Sequence, residues 1–165
     1  SETGSEMFRG LRVLIVGDIR HSRVARSDIA AYRALGAEVR VAGPPTLLPA
    51  GVTGWGVNVS EDFEADLEWA DVVGLLRLQR ERGTGDFVPS LAEYTTCFGL
   101  TAERAARLRP ETLIMHPGPM NRGVEIDSVV ADSPASVITQ QVTNGVPVRM
   151  AVLYLTIGGP TGESQ

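Results

Sequence analysis

Short apolar runs that end in turns alternate along this chain with stretches of helical periodicity. Residues 11–18 form the first such run, residues 22–35 follow as an amphipathic helix, and residues 38–42 resume as a strand before a Gly-Pro-Pro turn. Runs of this kind are typical of strands buried on both faces, and strands that alternate with helices favour a parallel sheet. We therefore predict an α/β fold, a Rossmann-like three-layer domain whose parallel sheet is flanked by helices.

The alternation continues towards the C-terminus. Ser60 is a candidate N-cap for a helix whose first turn is acidic and whose apolar stripe is Phe63, Leu67 and Ala70. The further predicted elements are a strand at 71–76, a loop at 83–90, helices at 91–99 and 102–108, strands at 112–115 and 136–138, and a last helix after Pro147.

The last predicted helix is apolar around most of its circumference. Between residues 148 and 157 only Arg149 is charged. A helix of this kind needs cover on most sides. Two interpretations stay open: the helix is buried within this domain, or it exposes an apolar surface that belongs against a partner.

Length and composition place the chain among globular domains. Its 165 residues suit one domain, and a formal net charge of -5 opposes binding to nucleic acid or an anionic membrane through bulk charge. The one cysteine, Cys97, suits a reducing compartment and is expected to pack as a small apolar residue. No apolar run reaches membrane-spanning length. We expect a soluble, cytoplasmic domain over residues 9–165, after a disordered tail or cloning remnant at residues 1–8.

All 15 basic residues are arginine, and the chain has no lysine. This excludes a lysine Schiff base and a Walker-type phosphate loop. Arginines follow three predicted strands, with two in residues 17–23, three in 77–82 and one in 116–122. Ligands of open parallel sheets bind beyond the carboxyl ends of the strands, and arginine forks match carboxylate and phosphate geometry. The pattern predicts a dicarboxylate or phosphate ligand.

These polar residues also allow other interpretations. Surface ion pairs with Glu81, Asp86 and Glu125 are the favoured alternative for any single arginine, and less so for three clusters together. His21 and His116 lack companions with metal-ligand spacing, so no metal site is predicted. The glycines do not follow a dinucleotide-binding pattern, and no cofactor is predicted.

Four motifs carry a resemblance to a known family. They lie at residues 17–23, 77–82, 116–123 and 140–145. In this order they resemble the C-terminal, aspartate-binding half of aspartate carbamoyltransferase, and the resemblance extends over residues 11–158. Ornithine carbamoyltransferases share the architecture but carry His-Cys-Leu-Pro where this chain has His-Pro-Gly-Pro.

The resemblance implies a function in pyrimidine synthesis, the transfer of a carbamoyl group from carbamoyl phosphate to L-aspartate. By similarity, Arg23 and Arg77 would clamp the two carboxylates of aspartate, and Gln79 would steady its amino group. Backbone groups of Gly118 and Pro119 would meet the carbamoyl end. Residues 80–94 resemble a mobile loop that closes over the substrates. Neither a metal nor an organic cofactor is implied, because the chemistry is positioning and charge stabilisation.

The family's N-terminal half has no counterpart in this sequence. That half carries a Ser-Thr-Arg-Thr phosphate loop and a lysine borrowed from the adjacent subunit of what we expect to be a homotrimer. We therefore expect this chain to contain no catalytic residue of its own, to meet carbamoyl phosphate only through the missing half, and to be inactive alone. Two alternatives stay open: a non-catalytic dicarboxylate-binding module, and an inactive homologue that scaffolds another enzyme.

Overall fold

A five-stranded parallel sheet forms the centre of the computed structural model, which describes residues 8–78 and 90–158. The strand order is β3-β2-β1-β4-β5, and every pairing is parallel. The strands are β1 (Arg12–Val16), β2 (Glu38–Ala42), β3 (Asn58–Val59), β4 (Val72–Leu75) and β5 (Leu113–Met115).

Helices cover both faces of this sheet, which confirms the predicted three-layer α/β architecture. One core cluster unites Val13 and Ile15 with Ile29, a buried residue of the helix that follows β1. The other unites Leu14 on the opposite face with Leu67. The alternation of neighbouring β1 residues between the two clusters is the period-2 pattern of a strand buried on both sides. The helices are α1 (Arg23–Ala34), α2 (Phe63–Trp69), α3 (Leu91–Phe98), α4 (Ala102–Ala105), α5 (Ser128–Ala131) and α6 (Ile138–Leu153).

The N-cap of α2 differs from the sequence prediction. The side chain of Asp62 accepts a hydrogen bond from the Ala65 N–H, so Asp62 and not Ser60 caps the helix. Ser60 instead donates its N–H to the Val41 carbonyl and continues the pairing of β2 with β3. The two-residue strand β3 was not predicted, because two residues leave no measurable periodicity.

The start of α6 also differs from the prediction. The helix begins at Ile138, and Pro147 lies in its interior instead of its first turn. Residues 136–138 are not a strand: Ser136 makes an isolated bridge to Ile114, and the chain turns at once into α6. Proline lacks the N–H that an interior helical position donates, which is why sequence reasoning placed the boundary there.

The apolar residues of α6 face solvent. Ile138 is its only buried residue, whereas Met150 is 65% exposed and Leu155, just beyond the helix, is 72% exposed. Burial of this helix within the domain is therefore wrong, and an uncovered apolar surface is the outcome. We call this face the α6 surface; it comprises Val142, Val146, Val148, Met150, Val152, Leu153, Tyr154, Leu155 and Ile157.

The structure also bears on the predicted packing of Cys97 and on membrane-spanning helices. Cys97 lies in α3 and is exposed, so its packing as a small apolar core residue is wrong. Among the helices at residues 8–78 and 90–158, none has both the length and the apolar character needed to cross a bilayer.

Candidate ligand site at the carboxyl edge of the sheet

Parallel pairing brings three of the predicted segments to one edge of the sheet. Because β1 pairs with β4 and β4 pairs with β5, their carboxyl ends are neighbours. Arg23 follows β1, Arg77 follows β4, and Gly118 and Pro119 follow β5. Gln79 lies outside the described residues.

The segments that follow β1 and β4 approach each other closely at Gly17. This glycine has a φ of +127°, and an added Cβ would lie 3.1 Å from both the side chain and the carbonyl of Leu76. Leu76 in turn donates its N–H to the Val16 carbonyl over 2.8 Å. A residue with a side chain would be strained here both by its backbone angle and by contact. The ends of β1 and β4 therefore stay within backbone contact of each other.

A buried carboxylate shapes the loop between β1 and α1. Asp18 is 1% exposed and accepts hydrogen bonds from the N–H of His21 and from its ring Nδ1, each over 3.0 Å. The next residue, Ser22, caps α1 by accepting from the Ala25 N–H. Arg23 is thereby fixed at the first position of α1, with its side chain exposed.

Arg23 differs from other arginines in its electrostatic surroundings. Within residues 8–78 and 90–158 it has no ion-pair partner, although it begins a helix, where a cation opposes the helix dipole. By contrast, Arg122 forms a two-pronged pair with Asp132 over 2.8 and 2.9 Å, and the same pair lowers the pKa of Asp132. The surface ion-pair interpretation therefore holds for Arg122, but with Asp132 instead of Glu125.

The end of β4 presents Arg77 between two buried leucines. Leu76 and Leu78 are 3% and 2% exposed, whereas Arg77 between them is only partly buried. The carbonyl of Leu78 accepts a hydrogen bond of 3.3 Å from the side-chain amide of Asn121. The segment after β4 is thus bonded to the segment after β5.

The segment after β5 is a sharp turn held from within by a histidine. Gly118 has a φ of +66° and precedes a cis peptide bond to Pro119. The Nδ1 atom of His116 accepts the Gly118 N–H over 2.9 Å, and the Gln141 side chain on α6 accepts the His116 N–H over 3.2 Å. These bonds set the direction of the backbone groups that the sequence analysis singled out.

Glu125 is the partner of the other ring nitrogen of His116. Its carboxylate Oε1 lies 3.3 Å from His116 Nε2 and also accepts the Asn121 N–H over 2.6 Å. Glu125 is 1% exposed and His116 is fully buried. From the sequence alone, Glu125 is offered only as a partner for surface arginines, and His116 is discounted as a metal ligand. A buried acid and a buried histidine nine residues apart give no periodic signal that could have revealed the pair.

Tyr94 is the last residue of the segment 80–94, which the resemblance predicts to be a mobile loop. It belongs to α3 and is 1% exposed, so the C-terminal end of that segment is part of the core; residues 80–89 lie outside the described residues. Burial raises the pKa of the Tyr94 phenol well above its usual range, and the charges of Glu125 and Asp18 raise it further. Within the described ranges, no group of three or more potential metal ligands is found.

Comparison with known families identifies the type of domain. The family model for the aspartate/ornithine carbamoyltransferase Asp/Orn binding domain matches residues 9–156. The chain belongs to this family of carbamoyltransferase domains. Within it, the similarity is to the catalytic subunit of aspartate carbamoyltransferase, as the resemblance in the sequence predicted.

Curated relatives establish how far that similarity extends. The aspartate carbamoyltransferase catalytic subunit of Desulfitobacterium hafniense is 55% identical over 154 residues, which are 93% of this chain and 49% of the relative. The catalytic subunit of Thermobifida fusca is 57% identical over 150 residues, 91% of this chain and 48% of the relative. The chain thus spans about half the length of the relatives it matches.

Solved structures support the same fold. Ornithine carbamoyltransferase from Pyrococcus furiosus superposes with a TM-score of 0.71 at 27% identity, covering 92% of this chain and 51% of that structure. Aspartate transcarbamoylase from Trypanosoma cruzi, solved in complex with carbamoyl phosphate and aspartate, superposes with a TM-score of 0.75 at 23% identity, covering 93% of this chain and 52% of that structure.

Proposed function

We propose that this chain provides the L-aspartate site of an aspartate carbamoyltransferase of pyrimidine biosynthesis. The main support is its identity of 55% with catalytic subunits across 93% of its length. Arg23 and Arg77 supply guanidinium groups after adjacent strands β1 and β4. Two arginine forks suit the two carboxylates of a dicarboxylic amino acid.

Under this proposal the reaction needs positioning more than acid–base chemistry. Arg23 and Arg77 hold the carboxylates, and Gln79 steadies the α-amino group. That nitrogen attacks the carbamoyl carbon and the new C–N bond gives a tetrahedral centre. The centre collapses as the bond from carbon to phosphate oxygen breaks, and the proton lost by the nitrogen leaves with the phosphate. Backbone groups of Gly118 and Pro119 orient the carbamoyl end. The products are N-carbamoyl-L-aspartate and phosphate, with no metal or cofactor taking part.

A second protein surface completes the proposed enzyme. The α6 surface exposes nine apolar side chains, and large exposed apolar patches mark interaction sites. We propose that it packs against a carbamoyl phosphate-binding half, in the homotrimeric assembly that the resemblance implies and in the cytoplasm that the composition favours. The isolated chain is then inactive.

Complementation tests this function directly. This chain, and the half of a closely similar relative that it does not match, are assayed separately and mixed for N-carbamoyl-L-aspartate formation. Activity that appears only on mixing is the expected result. Replacing Arg77 with alanine should raise the KM for L-aspartate at least about thirtyfold, since losing one member of a charge pair that bound aspartate buries costs about 2 kcal/mol or more.

The remaining outcomes separate the alternatives. Arg107→Ala, outside the site and paired with Glu68 and Glu64, is the matched control and should leave KM unchanged. Turnover by the chain alone would disprove the need for a second half. Calorimetric binding of L-aspartate without turnover in any mixture would favour a non-catalytic module. If L-aspartate does not bind and no mixture shows turnover, the proposal is overturned.

A further inference from the structure

A continuous path of buried and partly buried hydrogen bonds joins two of the segments at the candidate site. It starts at the Leu78 carbonyl, which accepts from the Asn121 side chain, and continues from the Asn121 N–H to Glu125. From Glu125 it passes to His116 and ends at the Gly118 N–H. Leu78 is the neighbour of Arg77, so the path links the arginine segment with the turn after β5.

Glu125 is the central residue of this path and joins its Asn121 side to its His116 side. Its Oε1 atom is shared by the Asn121 N–H at 2.6 Å and by His116 Nε2 at 3.3 Å. With the residue 1% exposed, water does not compete for these bonds. A hydrogen bond to a buried carboxylate is stronger than one between neutral groups, and its loss leaves a buried donor unpaired.

The bonds at His116 determine its tautomer. Nδ1 accepts the Gly118 N–H, so this nitrogen carries no proton. The ring is therefore the neutral form that is protonated on Nε2, and Nε2 donates to Glu125. Glu125 selects this form because its carboxylate only accepts. The tautomer in turn keeps a lone pair aimed at the Gly118 N–H.

We propose that Glu125 is a positioning residue that sets the geometry of both segments at once. Through His116 it fixes the turn at Gly118, and through Asn121 it fixes the Leu78 carbonyl next to Arg77. It does not touch the substrate. The role in ligand binding rests on the proposed function, whereas its hold on the turn can be measured without any ligand.

Variants of Glu125 and Asn121 test this role in the full chain. Glu125→Leu removes the acceptor. Glu125→Gln keeps one acceptor oxygen and is the conservative rescue. Asn121→Ala removes only the bond to Leu78 and keeps the backbone N–H. Asp132→Asn is the matched control. It also changes a carboxylate to an amide after β5 in the chain, but in an exposed ion pair with Arg122.

Three readouts are followed: the ring nitrogen signals of His116 by NMR, hydrogen exchange of the Gly118 amide, and the dissociation constant for L-aspartate. Glu125→Leu should mix the two tautomers of His116, speed exchange at Gly118 about tenfold and weaken aspartate binding about tenfold, the effect of losing one charge-assisted hydrogen bond. Glu125→Gln should keep one tautomer and bind within about threefold of the parent chain. Asp132→Asn should match the parent in all three.

Asn121→Ala tests the bond to the Leu78 carbonyl separately from the bonds to His116 and Gly118. It also keeps the proposal testable if Glu125→Leu fails to fold. It should weaken aspartate binding about threefold while the His116 signals stay unchanged. An unchanged tautomer in Glu125→Leu, or tautomer mixing with unchanged aspartate affinity, would overturn the proposal. If the parent chain binds no aspartate, the proposed function fails, and the ring signals and Gly118 exchange still decide whether Glu125 holds the turn.

Discussion

At the scale of single residues, the amino and carboxyl edges of the sheet use charge differently. At the amino edge, Asp71 accepts from the Arg12 N–H over 2.9 Å and from the Arg12 guanidinium over 3.1 Å, and it also pairs with Arg109. At the carboxyl edge, Arg23 has no ion-pair partner within the described ranges. Paired charges lock the start of β1 to that of β4, whereas the other edge keeps a cation available to a ligand.

The Asp71 cluster predicts how stability depends on pH. Its arginine partners hold the pKa of Asp71 well below the ordinary value of 3.8. The folded state therefore gains stability from ionised Asp71 above pH 3.8, and this gain is lost as the pH falls further towards the folded-state pKa. Asp71→Asn should lower the free energy of unfolding at pH 7 by about 1 kcal/mol, because solvent screening reduces the value of charge-assisted hydrogen bonds at this partly exposed site.

Urea titrations at several pH values measure this effect. The difference between the parent and Asp71→Asn should be constant from pH 7 to pH 5 and shrink below pH 4. A difference that is independent of pH down to pH 2 would show that the carboxylate charge is not the cause. Asp127→Asn, which leaves this cluster untouched, is the control.

At the scale of elements, α6 combines a long helix with a residue that weakens it. Pro147 lies inside the 16-residue helix and cannot donate a hydrogen bond to the Thr143 carbonyl. An interior proline costs about 3 kcal/mol relative to alanine. The segment on its C-terminal side carries the most exposed apolar residues, Leu155 and Ile157.

Replacing this proline should strengthen the helix. In Pro147→Ala, amide hydrogen exchange within residues 143–153 should slow by at least about tenfold, because the restored bond and propensity together exceed 1.4 kcal/mol. Faster or unchanged exchange there would show that the proline does not limit this helix. Pro110→Ala, in a turn, is the control and should leave exchange in α6 unchanged.

At the scale of the whole molecule, the α6 surface is the feature that this domain does not satisfy by itself. Met150, Leu153 and Leu155 are 65%, 48% and 72% exposed. Burying side chains of this kind against a partner stabilises an interface by about 1.5–3 kcal/mol each. Packing against a second half, as proposed above, would remove this exposure.

Polar substitution separates folding from assembly. The triple variant Met150→Gln, Leu153→Gln, Leu155→Gln should leave the urea midpoint of the chain nearly unchanged, since exposed positions contribute within about 0.5 kcal/mol each. Its affinity for the complementing half should fall at least about tenfold, measured by the concentration needed for activity. A large loss of stability in the free chain would instead show that these residues pack within the domain.

The sequence by itself determined what depends on local pattern. Buried strands, amphipathic α1 and the turns after β1 and β5 follow from periodicity and turn chemistry within a few residues. Because parallel strands share one carboxyl edge, the positions of Arg23, Arg77 and Gly118 at that edge could also be predicted.

Only the tertiary structure decided which polar groups are buried and what they contact. Glu125 and Asp71 are both acidic residues near arginines in sequence, yet one bonds to a histidine in the core and the other to an arginine 59 positions away. Their partners depend on how elements pack, and burial is what strengthens such bonds. For the same reason the sequence did not decide whether α6 is buried or exposed, because its composition is equally compatible with a core helix and an uncovered surface. The way the whole domain packs leaves it exposed.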